Sequence, residues 1–167
     1  MSTPTPKHQF LDAYDREHGT TMRVLNAYPR EKLDLRPAAK LRTARELAWI
    51  FVQEQALCEI ALSTGFDWTK PMPSHQPPES LDEIMKAFDL GHNRVVERLL
   101  THQDSNLMGT VQFPVGPKKM GDVPLQSFLW MTLHDQIHHR GQFSIYLRIA
   151  DAKVPSIYGP THDEPWM

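Results

Sequence analysis

A single cysteine, Cys58, stands among the 167 residues, and this excludes an intramolecular disulfide. One cysteine fits a reducing compartment. A chain of this length can bury roughly 70% of the surface its unfolded form exposes, enough to fold without cross-links. No run of about 18 apolar residues is present, so no segment reads as a membrane-spanning helix. The opening MSTPTPKHQF lacks the apolar stretch of a signal peptide, and a cytoplasmic location is the expectation. Neither sign of charge dominates: 18 Lys and Arg face 20 Asp and Glu, for a formal net charge of -2. Lys118 and Lys119 form an isolated pair, and the basic residues from Arg30 to Arg45 are interrupted by acidic and apolar ones. Without a basic stripe, binding to nucleic acid by phosphate neutralisation is disfavoured. No internal repeat marks a second unit, so residues 1–167 read as one domain.

What the chain does have is proline and histidine, 14 and nine residues respectively. The prolines separate amphipathic stretches. From Lys7 to Tyr28, Phe10, Leu11, Tyr14, Met22, Leu25 and Tyr28 recur at helical spacing, and Pro29 ends the pattern. Thr43 and Glu46 form a capping box that opens a strongly apolar helix running to near Gly65. DWTKPMPSHQPPES is a proline-rich loop. Ser80 and Glu83 form a second capping box, for a helix to about His102 that Gly91 weakens by roughly 1 kcal/mol relative to Ala. LMGTVQF and PVGPKKMGDVPL predict a short hairpin or extended excursion. Pro124 suits the first turn of a helix that reaches about Ala150, and VPSIYGPTHDEPWM is an extended tail. Four amphipathic helices predict an all-α four-helix bundle.

The segment HDQIHHRGQ carries the chemistry. His134 and His138 are four residues apart, so they share a helix face and suit ligation of one ion from successive turns. His139 lies about 100° around the helix and is expected to stay out of that ion's shell. The helix is otherwise apolar, and two inward imidazoles there cost free energy unless something satisfies them. Further ligands have to come from other helices, where Glu54, Gln53, His18 and His92 are candidates. Glu54 is the strongest, because an unpaired carboxylate in the most apolar helix is expensive. Arg140 reads as a structural ion-pair former, Gly141 as a point of close approach between backbones, and Gln142 as a hydrogen-bond partner for His138. Cys58 reads as a small core residue. Tyr158 and Asp163 read either as substrate contacts or as packing and capping groups of a tail lying over the bundle.

The combination of ELAWIF after the KLDLRP connector with LHDQIHHRGQFSIYLRIADAKVPSIYGPTHDE resembles the DinB-like family of damage-inducible bacterial proteins, over nearly the whole chain. The resemblance implies an up-down-down-up four-helix bundle, a homodimer, and a divalent metal such as nickel or zinc. It implies that this metal is held by one His of the second helix and two of the last. Those two fall on His134 and His138. The third position falls on Ile50, which cannot bind an ion, and Glu54 one turn later is the expected replacement. The metal set so expected is His134, His138 and Glu54. The resemblance further implies a metal-dependent enzyme acting on a small molecule, a thiol-dependent S-transferase or a hydrolase, with a low-molecular-weight thiol as a possible co-substrate. The alternative is a non-catalytic stress-response or binding module with a degenerate metal site.

Overall fold

The protein is described from a computed structural model covering residues 3–70 and 76–167; Met1, Ser2 and the part of the proline-rich loop containing Pro71 and Pro73 lie outside the described residues. Four helices carry the architecture: α1 (Pro6–Asn26), α2 (Ala44–Ala61), α3 (Leu81–Thr101) and α4 (Leu125–Ile149). Both predicted capping boxes form. The Thr43 hydroxyl accepts from the Glu46 amide while the Glu46 carboxylate accepts from the Thr43 amide, and Ser80 and Glu83 do the same for α3. Pro124 sits one residue earlier than expected, as the N-cap of α4 rather than in its first turn. Among the described residues no helix is long and apolar enough to cross a membrane.

Contacts along the seams set the direction of each helix. Phe10 meets Trp130, and Glu17 meets Arg140, so α1 and α4 run parallel. Phe51 meets Phe88, and Glu59 meets Arg94, so α2 and α3 are also parallel. His18 meets Asp89 while His92 meets Asp15, which makes α1 and α3 antiparallel. Glu54 meets His139 while Phe51 meets Phe143, which makes α2 and α4 antiparallel. The result is the expected up-down-down-up bundle. It also explains the long loop before α3: a parallel successor forces the chain to return the full length of the 18-residue α2, about 27 Å. The excursion before α4 is a hairpin, β1 (Thr110–Gly116) pairing antiparallel with β2 (Lys119–Pro124). Its Phe113 packs edge-on against Phe128 of α4 and touches Phe66.

The apolar core comes in two parts. One gathers Val24, Leu47, Phe51, Phe88, Phe143 and neighbours, the other Phe10, Cys58, Val95, Phe128, Leu133 and neighbours. In every helix the residues between the two parts are polar and buried: Glu17 and Thr21, Glu54 and Gln55, His92, Gln136 and Arg140. A polar belt therefore crosses the middle of the bundle. Arg140, 1% exposed, donates from Nη2 to Glu17 Oε2 at 2.6 Å and from Nη1 to the Glu17 carbonyl and Thr21 Oγ1 at 3.2 Å. Tyr158 of the tail donates its hydroxyl to the same Glu17 oxygen at 2.7 Å. Arg140 is thus the expected structural ion-pair former, with partners for both of its terminal nitrogens, as a buried charge requires.

The close approach expected at Gly141 occurs elsewhere. A Cβ at Gly141 would meet nothing within 4 Å, whereas one at Gly91 would stand 2.4 Å from Gln55 Oε1 and 3.3 Å from Gln55 Cβ. Gly91, read from sequence as a weak point of α3, is where α2 and α3 come together, and Gly141 faces outward.

Candidate metal centre

The belt opens toward solvent along the seam between α2 and α4, and there one donor cluster forms. Glu54 projects from the buried face of α2, 4% exposed. His139 of α4 reaches it, with Nδ1 2.8 Å from Glu54 Oε1. Asp135, one turn earlier on α4, has its Oδ1 3.9 Å from the same Nδ1. One ligand atom from each of Glu54, Asp135 and His139 lies within 4.8 Å of the others. The second oxygen of Glu54 is buried without a hydrogen-bond partner. A buried carboxylate oxygen left bare is costly, and a cation between the three side chains satisfies it. Two carboxylates and an imidazole are donors a divalent metal accepts, so these residues fit such an ion.

Electrostatics bind the cluster together. Burial pushes the Glu54 carboxyl up to about 7, against the pull of its hydrogen bond to His139. That same bond pushes the His139 imidazole up, against its own burial.

Glu54, expected in the centre, is in it. His134 and His138 are not in this converging set. Both are exposed. His134 leans toward Trp130, with ring centroids 5.8 Å apart, and His138 meets Gln142 at 2.9 Å, the partner foreseen for it. His139, expected to point away, is the imidazole that meets Glu54. The reason is helical phase. The buried face of α4 follows Leu129, Leu133, Gln136, Arg140 and Phe143. Residues 135 and 139 flank that face on the α2 side, whereas 134 and 138 lie further round, in solvent. The premise that two inward rings needed satisfying therefore does not apply to His134 and His138. They instead line a cavity of about 530 Å³ together with Glu54, Asp135, Leu57 and Phe113.

The remaining candidates lie apart from the cluster. Ile50 is half-buried against the core, and Gln53 is exposed. His18 and His92 stack on each other across α1 and α3, centroids 3.9 Å apart. Cys58 is buried, and burial pushes its thiol up to about 12, which leaves it a core residue. Asp163 accepts from the Val154 amide at 2.7 Å and pairs with Arg148, so tail and α4 are tied by packing and capping. Asp135 and His139 have the same spacing as the overlapping pair of histidines, so spacing alone does not separate the two pairs. The buried Glu54 on the facing helix was the signal that could have decided between them.

A model of the DinB family matches residues 1–166. The chain belongs to the DinB family. A DinB-like protein of Bacillus cereus, known from a crystal structure, is 26% identical, with a TM-score of 0.72 over 89% of this chain and 95% of that one. A second DinB-like crystal structure, YjoA of Bacillus subtilis, shares the fold at 13% identity, with a TM-score of 0.69 over 89% and 97% of the two chains. Among curated proteins, the uncharacterized protein YrdA of Bacillus subtilis is 29% identical over 156 residues, 93% of this chain and 89% of its own. The DinB fold thus holds over nearly the whole chain, with a Glu54–Asp135–His139 cluster that can hold a metal.

Proposed function

We propose that this DinB-family protein is a metal-dependent enzyme acting on a small molecule, by transfer of a group to a low-molecular-weight thiol or by hydrolysis. The observation that carries the reading is the buried Glu54 carboxylate, one oxygen on His139 and the other without a hydrogen-bond partner, in one cluster with Asp135. Glu54, Asp135 and His139 would hold the ion. A divalent metal there supplies a depressed pKa for a bound thiol or water and a positive charge for a polarised substrate oxygen. With two carboxylates in the set, manganese and iron(II) stand beside zinc and nickel as occupants.

The chain's own residues do the rest. Glu54 is anchored on the stiff, capped α2, so its position does not depend on a loop. Leu57, Phe113 and Met131 give the adjoining cavity apolar walls against which the body of a substrate would pack. His134 and His138 present imidazoles to the same cavity and are placed to accept or release a proton on a bound molecule. Gln142 steadies the His138 ring.

Elemental analysis of protein purified without a histidine tag tests the reading. Stoichiometric metal that is lost in Glu54→Ala, with chelator-sensitive turnover of a thiol and an electrophile or of a hydrolysable ester, is the expected result. Metal far below stoichiometry after reconstitution with zinc, nickel, manganese and iron(II) would overturn it.

A further inference from the structure

The connector before α2 carries more positive charge than it uses. Arg30 pairs with Asp82, Arg36 with Glu46, and Arg45 with Asp34 and Glu79. Lys32 donates to the Ala150 carbonyl at 2.8 Å. Lys40 and Arg42 are exposed, and among the described residues neither side chain makes a hydrogen bond or ion pair. The backbone between them is held in place: the Leu41 carbonyl accepts from Arg36, and the Arg42 carbonyl accepts from the Tyr146 hydroxyl at 2.7 Å. Two unpaired cations are thus fixed on a pinned segment, not scattered over a mobile surface.

Both cations border two cavities at once. One, of about 580 Å³, is lined on the α2 side by Trp49, Ile50 and Gln53. The other, of about 280 Å³, reaches Gln142 and Tyr146 of α4. These residues lead to the centre from two directions. Ile50 and Gln53 come within one turn before Glu54, and Gln142 holds His138. The first cavity sets Arg36, Lys40 and Arg42 against one acid, Glu46, which is already engaged by Arg36 and by the α2 cap. The cavity is therefore net positive with an aromatic and aliphatic floor. The centre, by contrast, holds two carboxylates. A neutral or cationic molecule gains nothing from Lys40 and Arg42, whereas an anionic one is attracted to the first cavity and held at its rim. A guanidinium is suited to grip a carboxylate or phosphate through paired hydrogen bonds.

We propose that Lys40 and Arg42 form an anion subsite beside the Glu54–Asp135–His139 centre, taking the carboxylate or phosphate of a small organic molecule whose apolar body rests on Trp49 and Ile50. The subsite stands on its own geometry; its role as one end of a substrate site rests on the reading of the metal centre given above.

The test is a titration of isotope-labelled, full-length protein, as isolated and after chelation, with benzoate, phenyl phosphate and the neutral analogue benzamide. The backbone amide of Arg42 and the indole N–H of Trp49 are followed by NMR. Saturable shifts at both with benzoate or phenyl phosphate, absent with benzamide, are expected, and whichever acid binds more tightly identifies the preferred anion. Lys40→Gln with Arg42→Gln is expected to weaken that binding about tenfold or more, the loss of a charge-assisted contact, with helical circular dichroism unchanged. Equal binding of benzamide, undiminished affinity in the double variant, or shifts confined to other residues would overturn the subsite. Because the titration is read with and without metal, an empty metal centre would defeat the proposed function and leave this result intact.

Discussion

Glu54 and His139 meet at 2.8 Å across the α2–α4 seam, and among the described residues the other Glu54 oxygen is buried without a hydrogen-bond partner. An ordinary structural ion pair in so buried a place has both oxygens occupied. Glu54→Ala, Asp135→Ala and His139→Ala are each expected to reduce bound metal by about tenfold or more, within the range seen when ligand spheres are disturbed. His134→Ala and His138→Ala are expected to retain it. Metal content of the five variants by plasma mass spectrometry separates the His134–His138 pair from the Asp135–His139 pair directly.

Arg140 and Glu17 make the most deeply buried ion pair, at 2.6 Å. Removing one member leaves the other charged and unpaired. Arg140→Met or Glu17→Met is therefore expected to cost about 3–5 kcal/mol, and the double variant less than either alone. Tyr158→Phe removes the hydroxyl that donates to Glu17 and is expected to cost about 1–3 kcal/mol. Urea denaturation of the four variants measures the set.

The stacked pair His18 and His92 makes stability depend on pH. Burial, then the neighbouring His92, push His18 down to about 4, while Asp89 and Asp15 pull the other way. His92 is pushed down as well, chiefly by burial. An unfolded chain takes up a proton on such a ring near pH 6.5. Between about 6.5 and 4 the unfolded state therefore binds protons that the folded state refuses. The contribution of His18 is complete above about 6.5 and is lost as pH falls toward 4. Glu54 and His139, both raised, act in the opposite direction over the same range, so the test is a difference: between pH 7.5 and 5 the urea midpoint of the parent protein should lose more, or gain less, than that of His18→Asn.

Three helical glycines should respond differently to alanine. Gly19 and Gly141 have open space where a Cβ would go. Gly19→Ala and Gly141→Ala are expected to stabilise by about 0.5–1 kcal/mol. At Gly91 the buried Gln55 has to move, so Gly91→Ala is expected to destabilise by about 1–3 kcal/mol through overpacking. Adding Gln55→Ala should recover much of the loss. Thermal denaturation of the four variants checks all of this.

The fold was legible in the sequence because its signals are local. Thr43 with Glu46 and Ser80 with Glu83 mark helix starts within one turn, and Pro29 and the proline-rich loop mark the breaks. The resemblance then supplied helix directions that local patterns do not hold. The centre was half legible. Glu54 stands out as a carboxylate in an apolar helix. The choice between the pairs 134/138 and 135/139 turns on a rotation of about 100°. That phase is set by where Gln136 and Arg140 are buried, and thus by Glu17 and Thr21, more than a hundred residues away in the chain. The close packing at Gly91 was illegible for the same reason, since it depends on Gln55 of another helix.

The belt formed by Glu17, Arg140 and Tyr158 also bears on synthesis. Glu17 leaves the ribosome early, its ion-pair partner follows 123 residues later, and the tyrosine that completes the group comes 141 residues after it. Through most of translation α1 thus carries a carboxylate meant for a dry interior that does not yet exist. The nascent chain has to keep its first helix loosely held and hydrated until α4 emerges, and the bundle closes late, around a charge.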